Sequence, residues 1–327
     1  MTEFETPQLA VGIDVGATKI AAALVDRRGD VVEERLTATC ASEGQQTVIG
    51  RIAAVARDLL HTAPKPVAGI GIGTPGYVDP VSGIVTNAVN LGWTRVDLVN
   101  ELSASLSEQM PEGAGIWIEN DANVMALGDY HYGAAEGCGN FVYVSIGSGL
   151  GSGIILDHKL VGGAEYHAAE LGHLSLDPNG RLCACGMRGC VETVVSGPGI
   201  LATAKELLTT GDPSSLNERR RLTPKDVVEA ASQGDPLSLR VFDVTAQWLG
   251  QALAPCIALL NPARIVIGGG MGLAAFDLLH NGVFHELERR ILRDSYAHMP
   301  IVPSQVHSSA VGASALVWHA VQNSHAA

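Results

Sequence analysis

Positive charge is scarce in this chain: 21 lysines and arginines stand against 34 aspartates and glutamates, a formal net charge of −13. A binder of nucleic acid or of an anionic membrane needs a basic face to displace counterions, so this balance disfavours both. The one arginine run, Arg219 to Arg221, lies in a polar segment and reads as solvated surface. Long apolar runs are missing as well. Every candidate is broken by Gly, Pro or charge, so no helical membrane span is expected. The start, MTEFETPQLAVGIDVG, has neither a basic n-region nor a long apolar h-region; the expectation is a soluble, cytoplasmic chain without a signal peptide. Cysteines number six (Cys40, Cys138, Cys183, Cys185, Cys190 and Cys256), and in a large chain of this kind they suggest reduced thiols or metal ligands over disulfides. What is plentiful is apolar mass. With 46% hydrophobic against 17% charged residues the chain can fold without staples, and 327 residues exceed one comfortable core, so two domains are expected.

The apolar pattern predicts strands at LAVGIDVG, TKIAAALVD and VVEERLTA, the first joint glycine-rich and the second the polar turn RRGD. VIGRIAAVARDLLHTA has the spacing of an amphipathic helix. VAGIGIGTPG and GIWIEN read as further strands, the latter leading into the helical DANVMALGDYHYG. The opening pattern then returns in NFVYVSIG, SGLG and SGIILDHKLV, which suggests an internal duplication whose second copy begins near Asn140. Beyond the cysteines come helical GPGILATAKELLTT, TPKDVVEAASQG and PLSLRVFDVTAQWLGQALAPCIALL, the short strand PARIVIGGGMG, and a small-residue helix, SSAVGASALVWHAV, expected to pack back on the body. TGDPSSLNERRRLTP is the most linker-like stretch.

Two familiar nucleotide motifs are absent. No GxxxxGK[ST] occurs, and GSGLGSG leads into the strand-like GIILD where a dinucleotide fingerprint would open a helix. Three glycine turns nevertheless end apolar strands: Asp14 to Lys19, Ile146 to Gly153 and Ile267 to Gly272. Such turns let backbone N–H groups approach phosphate oxygens, and their setting between hairpins suits a mononucleotide triphosphate held between two lobes. In DVGATK, Asp14 could hold magnesium through water while Thr18 and Lys19 meet phosphate oxygens; the plainer alternative is a hairpin turn with an exposed lysine. In IENDANV, Asp121 could cap the helix that follows, or, with Asn120 beside it at a strand's carboxyl end, accept the proton of a substrate hydroxyl. Both readings stand at this point.

CACGMRGC brings Cys183, Cys185 and Cys190 together, with Gly186 and Gly189 allowing a tight backbone. His173 can complete a Cys₃His set, a structural zinc site with no open position. Free buried thiols are the alternative; a disulfide would leave one cysteine over. Glu170 precedes His173 by three residues and Glu192 follows Cys190 by two, so a metal here would also fix two carboxylates. Carboxylates suit sugar hydroxyls, which makes the metal an organiser of a polyol pocket rather than an activator of water.

Taken together, GIDVGATKIAA, GIGTPG with TNAVNLGW, IENDANV, SIGSGLGSGIIL, AELGH with CACGMRGCVE, and IGGG occur in an order that resembles the ROK family (repressors, open reading frames and kinases) across nearly the whole chain. The resemblance implies an α/β, two-lobed actin-like ATPase (ribonuclease H-like) fold with a zinc-binding loop in the larger lobe. The smaller lobe would span residues 1–119, with the C-terminal helix, about 309–327, packing back on it; the larger would span 120–308. It implies ATP- and Mg²⁺-dependent phosphorylation of a hexose on its 6-hydroxyl, glucose first, with N-acetylmannosamine or N-acetylglucosamine as the alternative. By the same resemblance Asp121 would be the general base, and Asn90, Asn120, Glu170, His173 and Glu192 would bind the sugar, His173 serving Zn²⁺ through its other ring nitrogen. Asp14, Gly16, Thr18, Lys19, Gly147 and Ser148 would meet the phosphates or their magnesium, and Gly269 and Gly270 would flank the nucleoside. A homodimer or homotetramer is implied, with hexose and ATP as partners and neither nucleic acid nor membrane.

The chain departs from the family pattern at Ala17, Ser148 and Ser152, and more noticeably at Tyr166 and Ala169, where glycine is frequent. Tyr166 and His167 could line the sugar pocket and alter which C2 substituent fits. Repressors of the family carry an N-terminal winged helix-turn-helix, and here the first phosphate motif begins about ten residues in, which leaves no room for one. A catalytically silent sugar sensor is the third reading, and the presence of Asp121 with a complete phosphate turn weighs against it.

Overall fold

The computed structural model describes residues 8–324. These form two compact units, one of residues 8–137, Leu160–Ala168 and residues 305–324, the other of Cys138–Lys159 and Ala169–Ser304. In the first unit the strands β1 (Leu9–Val15), β2 (Lys19–Asp26) and β3 (Val31–Ala38) are joined by tight turns, followed by helix α1 (Gln45–Thr62) and strand β4 (Val67–Thr74). Three short strands, β5 (Tyr77–Asp79), β6 (Ile84–Ala88) and β7 (Trp93–Asp97), make a separate antiparallel sheet before α2 (Leu98–Leu106), β8 (Gly115–Asn120) and α3 (Asp121–Tyr132).

The main sheet runs β3-β2-β1-β4-β8, antiparallel across β3-β2-β1 and parallel across β1-β4-β8. β4 is buried along its whole length, as its unbroken VAGIGIGT requires of a strand covered on both faces. α1 contributes Val48, Ile49, Ile52, Ala53, Ala56 and Leu59, a stripe at helical spacing, to this core. The C-terminal helix α10 (Ser309–Ser324) packs on β1, β4 and α3. Glycines of the sheet explain the fit: a Cβ on Gly12 of β1 or Gly71 of β4 would collide with the carbonyls of Ala310 and Ala313, so helix and sheet approach at backbone distance.

The second unit repeats this plan. Strands β9 (Phe141–Ile146), β10 (Leu150–Leu156) and β11 (Lys159–Leu160) are followed, after the cysteine segment, by helices α4 (Glu192–Val195), α5 (Gly197–Leu208), α6 (Pro224–Ser232) and α7 (Pro236–Leu260). Then come β12 (Arg264–Gly268), α8 (Gly270–Ala274), α9 (Phe276–Glu288) and β13 (Ile301–Pro303). The order β11-β10-β9-β12-β13 matches the first sheet position for position, again with an antiparallel hairpin and then parallel strands. The repeat suspected near Asn140 is therefore structural. α7 buries Val241, Phe242, Leu249, Leu253 and Ile257 against the core and packs on α9. The linker-like stretch holds a 3₁₀ turn, Ser215–Glu218, capped by Ser214. Among the described residues no helix is long and apolar enough to cross a membrane.

The boundary between the units falls after α3, at residue 137, because α3 packs on α10. A Cβ on Gly128 would come within 2.9 Å of the Gly312 Cα. Asp121 and Asn120 thus belong to the same unit as Asp14.

Candidate active site

In the first unit, β1, β4 and β8 run parallel, pairing Asp14 with Gly73 and Thr74 with Asn120. Asp14, Asn120 and Asp121 are gathered at one carboxyl edge, where parallel α/β sheets bind ligands. The β1–β2 turn is shaped by Gly16, whose N–H donates to the Lys19 carbonyl at 3.0 Å, and is fastened by Thr39, whose hydroxyl donates to the Gly16 carbonyl at 2.6 Å. Thr18 and Lys19 are exposed. Asp14 is only half exposed and accepts a hydrogen bond from the Ser309 hydroxyl at 2.5 Å. Burial raises its pKa above the ordinary carboxylate value, with Ser309 and then Lys19 pulling back. A carboxylate that is costly to ionise in place gains from a cation brought to it, which suits a magnesium-linked role.

At the β8–α3 junction, Asn120 takes the capping role that the sequence offered to Asp121. Its Oδ1 accepts the Ala122 N–H at 2.9 Å, and its Nδ2 donates to the Gly76 carbonyl at 3.3 Å. One N–H and one lone pair of the amide remain for a ligand. Asp121 is the first residue of α3 and is exposed, an acid in the first turn where the helix dipole favours negative charge. Its Oδ1 also accepts the Ala122 N–H, at 2.8 Å. The neighbouring Glu119 is buried and accepts from the Asn120 N–H at 2.8 Å and from Asn123 Nδ2 at 3.0 Å. Burial raises its pKa, with Asn123 and the Asn120 N–H opposing. One carboxylate is thus buried as a support, while Asp121, two residues on and already in the first turn of α3, is exposed. Asn90 is exposed on the 3₁₀ turn Val89–Leu91, between β6 and β7. That turn follows Ala88, which backs onto Gly76, the acceptor of the Asn120 amide.

In the second unit, His173, Cys183, Cys185 and Cys190 present four ligand atoms that all lie within 4.8 Å of one another. Cys185 Sγ and Cys190 Sγ are 3.6 Å apart, and Cys183 Sγ lies 3.7 Å from His173 Nδ1. A tetrahedral zinc with Zn–S bonds of about 2.3 Å has edges of roughly 3.8 Å, so this donor set fits that ion. The tight backbone is real: Gly186 and Gly189 have φ of 91° and 66°, and a Cβ on Gly189 would strike the Asp177 backbone. Burial raises the Cys183 thiol and pushes Cys190 up to about 12. For Cys185 burial is outweighed by the Met187 N–H and the other two sulfurs, and its pKa is lowered. Cys185 is exposed, whereas Cys183 and Cys190 are buried.

Nδ1 of His173 faces the sulfurs, while Nε2 lies 3.9 Å from a Glu170 oxygen. The two ring nitrogens thus face different groups, the sulfurs and Glu170, and Glu170 is exposed. Glu192 Oε2 accepts the Leu150 N–H at 3.0 Å, and Oε1 lies 3.8 Å from Cys183 Sγ. This carboxylate reaches from the cysteine loop to the β9–β10 turn. A Cβ at residue 149 would stand 2.6 Å from Glu192 Oε2, so glycine there leaves the carboxylate in its present position.

That turn holds Gly147 and the exposed Ser148. The Gly147 N–H donates to the Gly149 carbonyl at 2.9 Å, and the Gly147 carbonyl accepts the Gly197 N–H at 2.9 Å, which ties the turn to α5. β12 pairs Gly268 with Ser145, so Gly269 and Gly270, which open α8, lie at the same carboxyl edge as Gly147 and Ser148. Each unit therefore gathers its own expected residues. Sequence reading missed Glu119, legible beside Asn120 only once burial is known, and Ser309, which nothing local links to Asp14.

Residues 10–320 match the ROK family. A glucokinase of Halalkalibacterium halodurans is 35% identical over 277 residues, which span 82% of this chain and 82% of that protein. Among solved structures, a ROK family glucokinase from Streptomyces griseus in complex with glucose and AMPPNP superposes with a TM-score of 0.78 at 31% identity, covering 94% of this chain and 98% of that one. A ROK family transcriptional regulator, described as a homologue of the E. coli MLC protein, superposes with a TM-score of 0.85 at 27% identity, covering 95% and 78%. With its two mixed sheets of one topology, the actin-like ATPase arrangement, and its Cys₃His loop, the chain belongs to the ROK family.

Proposed function

We propose that this chain is an ATP-dependent hexose kinase that phosphorylates glucose on its 6-hydroxyl. The observation that carries the reading is Asp121: an exposed carboxylate at a strand's carboxyl end, its backbone held by the Asn120 cap, in the unit that also carries Asp14 and Lys19. Asp121 accepts the proton of the sugar hydroxyl as that oxygen bonds to the γ-phosphorus of ATP and the bond to the β,γ-bridging oxygen breaks, releasing ADP. Asn90, Asn120, Glu170, His173 and Glu192 bind hydroxyls. Glu192 orients by its bond to Leu150, and His173 through Nε2. Asp14 takes the Mg²⁺ that accompanies ATP, and Thr18, Lys19 and the N–H groups around Gly16, Gly147 and Ser148 take phosphate oxygens. Gly269 and Gly270 leave room for the nucleoside.

His173, Cys183, Cys185 and Cys190 would hold Zn²⁺, their four donor atoms filling its coordination positions and leaving none for water, so that the ion would serve to fix the loop. The glucokinase relatives support glucose as the hexose and ATP as the donor. We place the reaction in the cytoplasm, in a homodimer or homotetramer. The test is Mg-ATP-dependent ADP release with glucose, mannose, fructose, N-acetylglucosamine and N-acetylmannosamine side by side, with Asp121→Asn as control. Fastest turnover on glucose is expected. Faster turnover on an N-acetyl sugar would move the assignment to an amino-sugar kinase, and no turnover on any of them would sink it.

A further inference from the structure

Glu119, the penultimate residue of β8, enters the core of the first unit with no cation beside it: it is 6% exposed, and only neutral donors meet its carboxyl group. That is a costly way to fill a core, where an apolar side chain would pack without any charge to desolvate. Both of its donors come from residues around Asp121. One oxygen, Oε1, accepts the Asn120 N–H at 2.8 Å and Asn123 Nδ2 at 3.0 Å. Asn120 is the cap of α3 and Asn123 lies in its first turn, so Asp121 falls between the two points of attachment. Asp121 is bonded into the same loop, its Oδ1 accepting the Ala122 N–H that Asn120 Oδ1 also accepts. The turn is seated on the sheet as well. A Cβ on Gly73, the neighbour of Glu119 on β4, would stand 2.7 Å from Val124 Cγ2, so α3 rests directly on that strand. Asn123 carries a second cost, because its Oδ1 is buried without a partner. A buried carboxyl group and an unpaired amide oxygen thus surround one exposed carboxylate, and local costs of this kind collect at functional sites.

We propose that Glu119 is a positioning residue for the general base: by accepting from Asn120 and Asn123 at once, it holds the first turn of α3 so that the Asp121 carboxylate meets the sugar hydroxyl. This rests on the kinase reading, with Asp121 as the base. Glu119 touches no reacting atom and acts through the Asn120 backbone and the Asn123 side chain. A base misplaced by about 1 Å can cost on the order of 10²-fold in rate, so even slight freedom in this turn matters. What the role needs is an acceptor oxygen and not a charge. Glu119→Gln keeps that oxygen, and the unpartnered Asn123 Oδ1 is an acceptor at hand for its new N–H.

The test is a double-mutant cycle on kcat, beside the ATP KM and the thermal unfolding of each variant. Glu119→Ala is expected to lower kcat about 10- to 100-fold with the ATP KM unchanged, and Glu119→Gln to recover most of that loss. In the Asp121→Asn background, Glu119→Ala should cost less than about twofold more, because a residue acting through Asp121 has nothing left to position. Asn123→Ala removes one donor and leaves the carboxyl group in place. It should lower kcat about 3- to 10-fold, the range of one lost hydrogen bond, and it carries the test if Glu119→Ala does not fold. Unchanged kcat in folded Glu119→Ala or in Asn123→Ala, beside normal wild-type turnover, overturns the positioning role and leaves the kinase reading standing. So does a loss that multiplies in full with that of Asp121→Asn, or one that Glu119→Gln does not recover. Absence of any hexose turnover in the wild type overturns both.

Discussion

The β1–β2 and β9–β10 turns open sheets of the same strand order and sense, yet they carry different chemistry. The first, Gly16 to Lys19, presents Thr18 and Lys19 and is flanked by Asp14, which is held by Ser309 from near the chain's other end. The second, Gly147 to Gly149, has no charged side chain, and its neighbours fasten it: the Gly197 N–H on the Gly147 carbonyl, and Glu192 on the Leu150 N–H. The duplicated hairpin thus supplies a scaffold twice, while the side chains set on it and the residues that fasten it differ between the copies. In the first copy side chains would manage a cation. In the second, backbone N–H groups would meet phosphate, and the carboxylate bonded to the turn is that of Glu192, the first residue of α4.

The largest effect should come from the first unit. Asp121→Asn is expected to lower kcat by about 10²- to 10⁴-fold, the usual contribution of a general base, while hexose affinity stays within a few-fold. Turnover and equilibrium sugar binding measured on the same preparation decide it; near-normal kcat would remove Asp121 from the chemistry. Next is a direct contrast of the two turns. Asp14→Asn should reduce kcat/KM for Mg-ATP by roughly ten- to a hundredfold, as expected for a lost contact to a charged group, and Ser148→Ala by about threefold or less. Equal losses would erase the division between a side-chain turn and a backbone turn.

Asp14→Asn should also stabilise the ligand-free protein at neutral pH. The folded-state pKa of Asp14 is raised by burial, so the wild type binds more protons folded than unfolded. Its stabilising contribution is present below the unfolded value of about 4 and is lost as pH rises through the folded value. Thermal midpoints of the two proteins should therefore converge on acidification and separate, with the variant higher, toward pH 7. The opposite ordering at neutral pH would mean that Ser309 and Lys19 outweigh burial.

In the second unit, Cys185→Ser should abolish stoichiometric zinc in metal analysis. It should lower the thermal midpoint by roughly 4–8 °C, about 2 kcal/mol for a unit of this size, and weaken hexose binding through Glu170 and Glu192. Sugar affinity that survives zinc loss would separate the loop from the sugar. The smallest effect belongs to backbone strain: Ala169 has a left-handed φ of 67°, and Ala169→Gly should raise the midpoint by about 1–4 °C, since relieving a left-handed alanine is worth roughly 0.5–1 kcal/mol. Calorimetry that shows no gain would mean that the glycine's extra unfolded entropy cancels the relief.

Much of this was legible because periodicity is local. The alternation in TKIAAALVD, the helical stripe of α1 and the repeated strand–glycine–strand pattern reflect how each segment must bury one face, whatever its neighbours are. The β5–β7 sheet escaped notice, since strands of three to five residues are too short for a period to register. The unit boundary after α3 also lay outside local pattern. It depends on α3 meeting α10, nearly two hundred residues later, and on Gly128 and Gly312 both lacking a side chain there.

By itself the sequence determined the donor set Cys183, Cys185, Cys190 and His173, the glycines that let it close, the turns that end the strands, and the acid that starts α3. Each is a matter of residue type at short spacing. Tertiary structure alone decided that Glu119 is buried while Asp121 is exposed, that Asn120 and not Asp121 caps the helix, that Ser309 binds Asp14, and that His167 rests on Tyr77. Burial, charge cost and partner choice arise from segments distant in the chain, and no local pattern encodes which of them will meet.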